Sequence, residues 1–171
     1  YCHFEYIKIW KFKIINSTTI KYSNYWRNTL KTIHLKDNNE INRIDKEFGV
    51  FIANEANNFI KKKKIDFISC HGHTIFHDPN KKINLQIGDG KTIAEITNKT
   101  IINDFRTLDI SLNGEGAPLV PIGDLHLFKK YKYCVNLGGF ANISIKQNNS
   151  IIAFDICPVN IILNHISNKL G

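Results

Sequence analysis

One aspartate, Asp155, is the residue of this chain best placed for proton chemistry. It ends a predicted strand of apolar residues and comes shortly before Cys157, Pro158 and Asn160, where a helix is predicted to start. A carboxylate in this position can take a proton from water as a general base. It can equally cap the N-terminus of the helix. The residues alone leave both interpretations open.

A pair of glycines, Gly138 and Gly139, lies between two predicted strands in the stretch VNLGGFANISI. Glycines let a backbone turn tightly, and they let its N–H groups approach an anion. Asn142 adds an amide donor close by. An ordinary β-hairpin with a glycine turn explains the same residues. The stretch is therefore either an anion-binding turn or a plain hairpin.

A second polar group follows another predicted strand. Asp104, Arg106 and Asp109 fall within six residues, and Glu115 stands between two glycines further on. An arginine flanked by two acids forms either a structural ion-pair network or a clamp for a polar ligand. The glycines beside Glu115 allow a ligand or another part of the backbone to come close.

Three histidines, His71, His73 and His77, raise the question of a metal site. A predicted turn does not fix the directions of three imidazole rings, and no cysteine or acid completes a familiar ligand spacing. We therefore predict no metal site here. Gly72 between two histidines is typical of a tight turn, and polar ligand contacts or structural hydrogen bonds are the expected roles.

The elements that must position these residues follow from hydrophobic periodicity. Strands are predicted at 1–6, 10–15, 65–70, 83–87, 100–103, 134–137, 143–146 and 151–154, and helices at 23–35, 41–60, 92–97, 122–131 and from about 160. The helix at 41–60 has the clearest pattern, with Glu55 as the one polar member of its apolar face, and Ser23 is the expected N-cap of the first helix. We predict a polar break at 37–39, a turn at 71–79 and a loop at 104–121. Long irregular loops in compact domains tend to be functional.

Composition excludes several classes of protein. The chain has 171 residues, of which 43% are hydrophobic, enough for a substantial core. A net charge of +8 invites a nucleic-acid partner. The lysines are scattered, however, and their one run, at 61–64, ends a predicted helix where cations suit the helix dipole. We therefore predict no nucleic-acid partner.

The four cysteines show no metal-ligand spacing, and reduced thiols in a cytosolic protein account for them. No stretch reaches the ~18 apolar residues of a membrane span. We therefore predict a cytoplasmic protein without a membrane partner.

Five motifs together resemble one known family. They are SCHGHTIFH at 69–77, LQIGDG at 85–90, DFRTLDISLNGEGAPLVP at 104–121, VNLGGFANISI at 135–145 and AFDICPVN at 153–160. Their order and approximate spacing are similar to those of the anhydro-N-acetylmuramic acid kinases over nearly the whole chain. The form AFDICPVN resembles members from the Bacteroidetes group.

This resemblance implies an α/β fold of the actin-like ATPase type with two domains. The first domain would cover 1–130, incomplete at its start, and 131–171 would begin the second. The implied reaction uses ATP, Mg²⁺ and water to open 1,6-anhydro-N-acetylmuramic acid and phosphorylate O6. The product would be N-acetylmuramic acid 6-phosphate, in cell-wall recycling. Family members commonly pair as homodimers.

The resemblance also implies roles for individual residues. Asp155 matches the family's general base. Gly138, Gly139 and Asn142 would serve the nucleotide phosphates. The residues His71, Gly72, Arg106, Asp109 and Glu115 would contact the sugar.

The chain departs from the family pattern at Cys157 and Val159, where most members have glycine, and at Glu115, where glutamine is common. Side chains at 157 and 159 restrict close approach of backbone to ligand. They leave a non-catalytic sugar-binding relative as the alternative function. We expect the family's phosphate loop before Tyr1 and its adenosine-binding glycines after Gly171. The 171 residues alone are therefore expected not to turn over ATP.

Overall fold

The computed structural model describes residues 1–61, 63–148 and 150–170. The chain divides into two compact units, one of Thr18–Gly116 and one that joins Tyr1–Ser17 to the chain from Ala117 onwards. The division into 1–130 and 131–171 concerns the domains of the full-length fold, and it stays a prediction.

The secondary structure alternates strands and helices along the chain. The strands are β1 (Cys2–Ile7), β2 (Ile9–Ile14), β3 (Phe67–Ser69), β4 (His73–Asp78), β5 (Ile83–Ile87), β6 (Thr100–Ile102), β7 (Tyr133–Leu137), β8 (Phe140–Gln147) and β9 (Ser150–Pro158). The helices are α1 (Asn24–Thr32), α2 (Asn38–Ile60), α3 (Gly90–Thr97), α4 (Thr107–Ser111), α5 (Val120–Leu127) and α6 (Asn160–Leu170). In the described part of the chain, no helix is both long enough and apolar enough to cross a bilayer.

Polar side chains start the first two helices. The Ser23 hydroxyl accepts the backbone N–H of Trp26 at 3.2 Å, which confirms the predicted cap of α1. Asp37 caps α2 by accepting the N–H of Glu40 at 3.0 Å. The polar break predicted at 37–39 is therefore wrong beyond Asp37, because Asn38 already lies in the first turn of α2.

The core of the Thr18–Gly116 unit forms around the apolar face of α2. Phe48 is 2% exposed, and its ring lies 4.9 Å from that of Trp26, centroid to centroid. The buried cluster comprises Trp26, Ile33, Ile41, Ile44, Phe48 and Ile87. The predicted helix at 41–60 is confirmed, and the periodic apolar residues from Ile41 to Ile52 are those that pack here.

The turn predicted at 71–79 is wrong. His73–Asp78 forms strand β4, which pairs antiparallel with β5. Ile75 and Phe76 of this strand pack against the core cluster. Burial of these two side chains and the ladder to β5 outweigh the polar histidines that make the stretch look like a turn.

A parallel pair of short strands, β3 and β6, carries the polar segments that follow them. Ile68 lies opposite Ile101 in this pair. The chain leaves β3 at Cys70 and leaves β6 at Asn103, so both segments leave from the same end of the pair.

The other unit contains a β1–β2 hairpin and an antiparallel meander in the order β7-β8-β9. Aromatic side chains face one another across the hairpin, Phe4 opposite Phe12 and Tyr6 opposite Trp10. In the meander, Val135, Ile143 and Phe154 form one apolar row across the three strands. Val135 and Phe154, on the two outer strands of that row, are exposed.

Strand β9 runs further than predicted. It continues past Phe154 to Pro158, which pairs with Phe140 of β8. Asp155 therefore lies inside the strand and does not end it. The ladder to the central strand β8 overrides the low strand preference of aspartate at this position.

Candidate active site

A row of polar side chains crosses the meander beside the glycine turn. Asn136 of β7 lies opposite Asn142 of β8, which in turn lies opposite Asp155 of β9. Facing residues in neighbouring strands have Cβ atoms about 4.5–5.5 Å apart. Their side chains therefore lie next to one another on one face of the sheet. The predicted residues Asn142 and Asp155 are brought together, and Asn136 joins them.

A β-bulge directly follows Asp155. Ala141 of β8 pairs with Cys157 and the next residue, Asn142, pairs with Asp155, so Ile156 is an extra residue on β9. Bulges bend a strand and redirect the side chains beside it, and they are frequent next to active sites.

The Asp155 side chain is exposed. Within the described residues, no group donates a hydrogen bond to its carboxylate. Helix α6 starts at Asn160, five residues later, so Asp155 does not cap that helix. Its carboxylate oxygens are free to accept a proton or a hydrogen bond from a ligand.

The Gly138–Gly139 turn is tied to the start of α6 through main-chain atoms. The Gly139 carbonyl accepts the N–H of Val159 at 2.8 Å, and the Gly138 carbonyl accepts that of Asn160 at 3.2 Å. The Gly138 N–H donates to the Phe140 carbonyl at 3.2 Å. The turn and the N-terminus of α6 therefore form one backbone cluster.

Neither glycine of this turn is required by the packing of the described residues. A Cβ at Gly139 would meet the Ile161 side chain at 3.4 and 3.5 Å, and one at Gly138 would meet the Phe140 carbonyl oxygen at 3.5 Å. These are ordinary van der Waals distances, and neither residue has a positive φ. The packing of the described residues therefore does not explain why both positions of this turn lack a side chain.

A cavity of about 180 Å³ lies in the other unit, where the chain leaves the parallel strands β3 and β6. The carboxyl ends of parallel strands are where α/β proteins bind ligands. The lining residues are Cys70, His71, Gly72, Asn84, Leu85, Gln86, Ile87, Gly88, Asn103, Asp104 and Thr107. This set includes His71 and Gly72, two of the predicted sugar contacts.

Two side-chain amides lie side by side in this cavity. Asn84 and Gln86 exchange N–H···O hydrogen bonds of 2.9 and 2.8 Å. The second N–H of Asn84 reaches the Thr107 hydroxyl at 3.3 Å, and that hydroxyl donates to Asp104 at 2.6 Å. The second N–H of Gln86 reaches the Thr74 hydroxyl at 3.4 Å. The network fixes the amides in place.

Arg106 bridges two segments of the site. Its Nε and Nη2 donate to Nε2 of His71 at 3.2 and 3.0 Å, and its Nη1 donates to the Gly116 carbonyl at 2.7 Å. His71 Nδ1 lies 3.1 Å from the Gly72 carbonyl, which suits a ring with its proton on Nδ1. Burial lowers the pKa of the Arg106 guanidinium.

The two acids near Arg106 in sequence do not pair with it. Within the described residues, all ion pairs lie on α2 or between Asp78 and Lys81. Asp109 instead accepts the N–H of Gly116 at 2.7 Å. A side chain at Gly114 would overlap the Asp109 carboxylate, and Gly116 has a φ of +64°. The two glycines around the exposed Glu115 therefore serve this loop's own geometry.

The histidines do not form a metal site in the described part of the chain. No group of three or more His, Cys, Asp or Glu residues there could hold an ion. The His73 ring lies edge-on to Phe48, with ring centroids 6.3 Å apart. Burial lowers the pKa of His73. His73 is thus a half-buried packing residue.

Comparison with known proteins decides the family. The profile of anhydro-N-acetylmuramic acid kinase matches residues 7–170. A protein of that name from Bacillus cereus is 32% identical over 180 aligned positions, which cover 94% of this chain and 47% of the relative. One from Bacillus anthracis is 31% identical with the same coverage. The chain belongs to the anhydro-N-acetylmuramic acid kinase family. It spans about half the length of the curated relatives it matches.

Membership confirms the predicted resemblance and the fold class, since anhydro-N-acetylmuramic acid kinases have the actin-like ATPase fold of the sugar kinases. The predicted residues fall in two places. Asp155, Gly138, Gly139 and Asn142 lie in the unit with the meander, and His71, Gly72, Arg106, Asp109 and Glu115 lie in the unit with the cavity.

Sequence reasoning missed five polar residues of these regions: Asn84, Gln86, Asn103, Thr107 and Asn136. A signal existed for the first two, because residues two apart on a predicted strand share a face. Asn136 could be found only from the register of β7 against β8.

Proposed function

We propose that the full-length protein carrying this chain is an ATP-dependent kinase of cell-wall recycling. It opens 1,6-anhydro-N-acetylmuramic acid with water and phosphorylates O6 to give N-acetylmuramic acid 6-phosphate. The observation that carries the proposal is the family match over residues 7–170, together with relatives that bear the name of this kinase.

The meander offers groups that fit a nucleotide phosphate. The Gly138–Gly139 backbone is bare, and Asn142 supplies an amide donor beside it. ATP supplies the phosphoryl group, and Mg²⁺ neutralises the charge that develops on it. Mg²⁺ is commonly held by one or two carboxylates together with substrate phosphates.

Asp155 is the proposed general base. Its exposed carboxylate takes a proton from the water that attacks the anomeric carbon. The bond from that carbon to the bridging oxygen breaks, and the released O6 attacks the γ-phosphorus of ATP while ADP leaves. Asn142, opposite Asp155 in the register, orients the carboxylate or the water by hydrogen bonding.

The proposed sugar contacts are His71, Gly72, Arg106, Asp109 and Glu115. Arg106 holds the His71–Gly72 turn and the loop at Gly116 together, which gives the site a fixed wall. Asp109 holds the same residue of the loop, because its carboxylate accepts the N–H of Gly116.

Four free cysteines support a cytoplasmic location, where thiols stay reduced. Pairing as a homodimer is part of the proposal by family membership alone.

The test supplies the full-length protein with ATP, Mg²⁺ and 1,6-anhydro-N-acetylmuramic acid, and follows sugar phosphate by mass spectrometry. Wild type should form product, and Asp155→Asn should form it at least ~10³-fold more slowly, because the water loses its base. Asp66→Asn, an exposed aspartate outside both regions, is the matched control and should keep wild-type activity.

Other outcomes separate the parts of the proposal. Equal activity in wild type and Asp155→Asn would support the kinase activity but show that another acid is the general base. Asp104 and Asp109 would then be the next residues to replace. A wild-type protein that binds the sugar but forms no product would support the non-catalytic alternative. In that case replacing Cys157 and Val159 with glycine would be the decisive rescue.

A further inference from the structure

We infer that the cavity beside Asn84 and Gln86 holds the acetamido group of the amino sugar, and that this amide pair sets the preference for N-acetylated sugars. The inference rests on the proposed function. It adds a specificity role for two residues to which the sequence motifs gave none.

The size of the cavity fits a substituent and not a whole ligand. Its volume is about 180 Å³, whereas sites that enclose a complete small molecule are typically about 300–1,000 Å³. One substituent of the sugar can therefore enter while the ring and the reacting atoms stay outside.

The side-chain oxygens of Asn84 and Gln86 can each accept one more hydrogen bond, so the pair suits a ligand group that donates one. Both N–H groups of Asn84 and both of Gln86 are already used, within the pair and toward Thr107 and Thr74. Each amide oxygen keeps a second lone pair. A ligand group that donates an N–H satisfies these oxygens, while a group that only accepts does not.

The charge of the lining disfavours the sugar's carboxylate. Asp104 lines the cavity, and no lysine or arginine is among the lining residues in the described part of the chain. Two carboxylates in a confined space repel each other. The lactyl group of the muramic acid is therefore expected to lie elsewhere.

The remaining lining suits a methyl group. Gly72 and Gly88 bring backbone without side chains, and Cys70 is a half-buried thiol. Burial raises the pKa of Cys70, which keeps the sulfur neutral and comparable to a small apolar group. The acetamido group is the sugar substituent that combines an N–H donor with a methyl.

The experiment pairs matched ligands with matched variants of the full-length protein. Dissociation constants are measured by calorimetry for 1,6-anhydro-N-acetylmuramic acid, for 1,6-anhydro-N-acetylglucosamine, which lacks the lactyl group, and for 1,6-anhydroglucose, which lacks the acetamido group as well. The proteins are wild type, Asn84→Ala, Gln86→Ala and the control Asn58→Ala, an exposed amide on α2.

Each cavity variant should weaken both N-acetyl sugars by ~3- to 10-fold, the usual effect of losing one hydrogen bond. It should leave 1,6-anhydroglucose unchanged, and it should leave the ratio between the two N-acetyl sugars unchanged. Asn58→Ala should match wild type for all three ligands. If an alanine variant does not fold, Asn84→Leu and Gln86→Met keep the volume and remove the same acceptors.

Equal weakening of all three sugars would overturn the inference and leave the pair a purely structural role. A change in the ratio between the two N-acetyl sugars would overturn it in favour of a lactyl subsite. Failure of the wild-type protein to bind any of the three sugars would instead refute the proposed function, and this inference with it.

Discussion

Gly139 and Gly116 differ in how strongly the fold itself requires a residue without a side chain. A methyl group there meets Ile161 at an ordinary contact distance. Gly116, by contrast, has a φ of +64° and a Cβ position 2.8 Å from the Ile110 side chain. The two glycines therefore respond differently to the same substitution.

We predict that Gly139→Ala changes the free energy of unfolding by no more than ~0.5 kcal/mol, while the KM for ATP in the full-length protein rises several-fold. Gly116→Ala should lower stability by ~1 kcal/mol or more, because alanine at a positive φ is strained. Denaturant titrations and ATP kinetics on both variants check this. An unchanged KM for ATP in Gly139→Ala would show that the turn is not part of the nucleotide site.

Single residues could be proposed from the sequence where a motif or a tight turn marked them. Asp155 and the Gly138–Gly139 pair stood out because they lie in motifs of the resembled family, and their roles stay predictions. Asn136 did not, since one asparagine inside a short strand carries no signal. Its place in the polar row depends on backbone pairing with Asn142, and sequence periodicity does not encode that register.

At the scale of elements, α2 positions one rim of the cavity. The Asp45 carboxylate on this helix accepts the N–H of Gly88 at 2.7 Å. Gly49, one turn further, leaves room for the backbone of Asp89, whose carboxylate caps α3. Helix α2 therefore holds the loop between β5 and α3 where Gly88 lines the cavity.

We predict that Asp45→Asn stabilises the protein near neutral pH. Burial raises the pKa of the Asp45 carboxyl, and the hydrogen bond from Gly88 offsets this only in part. A carboxyl with a raised folded-state pKa contributes stability at low pH that is lost as the pH rises through that pKa. Asparagine keeps an acceptor for Gly88 without the charge.

Thermal melts of wild type and Asp45→Asn across pH 3 to 8 provide the measurement. The difference in stability should be largest at neutral pH and should shrink as the pH falls through the raised pKa. Asp66→Asn serves as the exposed control. A variant that is less stable than wild type at pH 7 would show that the charged hydrogen bond to Gly88 outweighs the cost of burial.

A helix or strand could be predicted from the sequence where its own residues are sufficient to determine it. Helix α2 carries a long apolar repeat and Ser23 is a strong cap, so both followed from the sequence. Strand β4 did not, because its ladder partner β5 and its packing against the core decide it. The length of β9 likewise depends on β8, which is why Asp155 was placed at a strand end.

At the scale of the molecule, the net charge of +8 raises the question of whether the protein binds nucleic acid. We predict only weak, non-specific binding to duplex or single-stranded nucleic acid, because the lysines are scattered along the chain. Gel-shift titrations at ~50 and ~200 mM salt check this. Tight binding that falls ~10³-fold or more over that range would indicate many phosphate contacts and contradict the prediction.

The fold family was predictable because five motifs keep their order over most of the chain. The arrangement within each unit was not, since it depends on contacts between segments far apart in sequence. His71 and Arg106 are separated by 35 residues in the sequence, and they follow β3 and β6, the two strands whose pairing brings these segments together.

The attachment of α6 to the Gly138–Gly139 turn has a consequence for how this region can evolve. The N–H groups of Val159 and Asn160 make that attachment, and any residue except proline supplies such a group. Mutations at position 159 can therefore accumulate without loosening the joint. The hydrogen bond from position 159 to Gly139 is therefore available to glycine and to valine alike, and only proline there would break it.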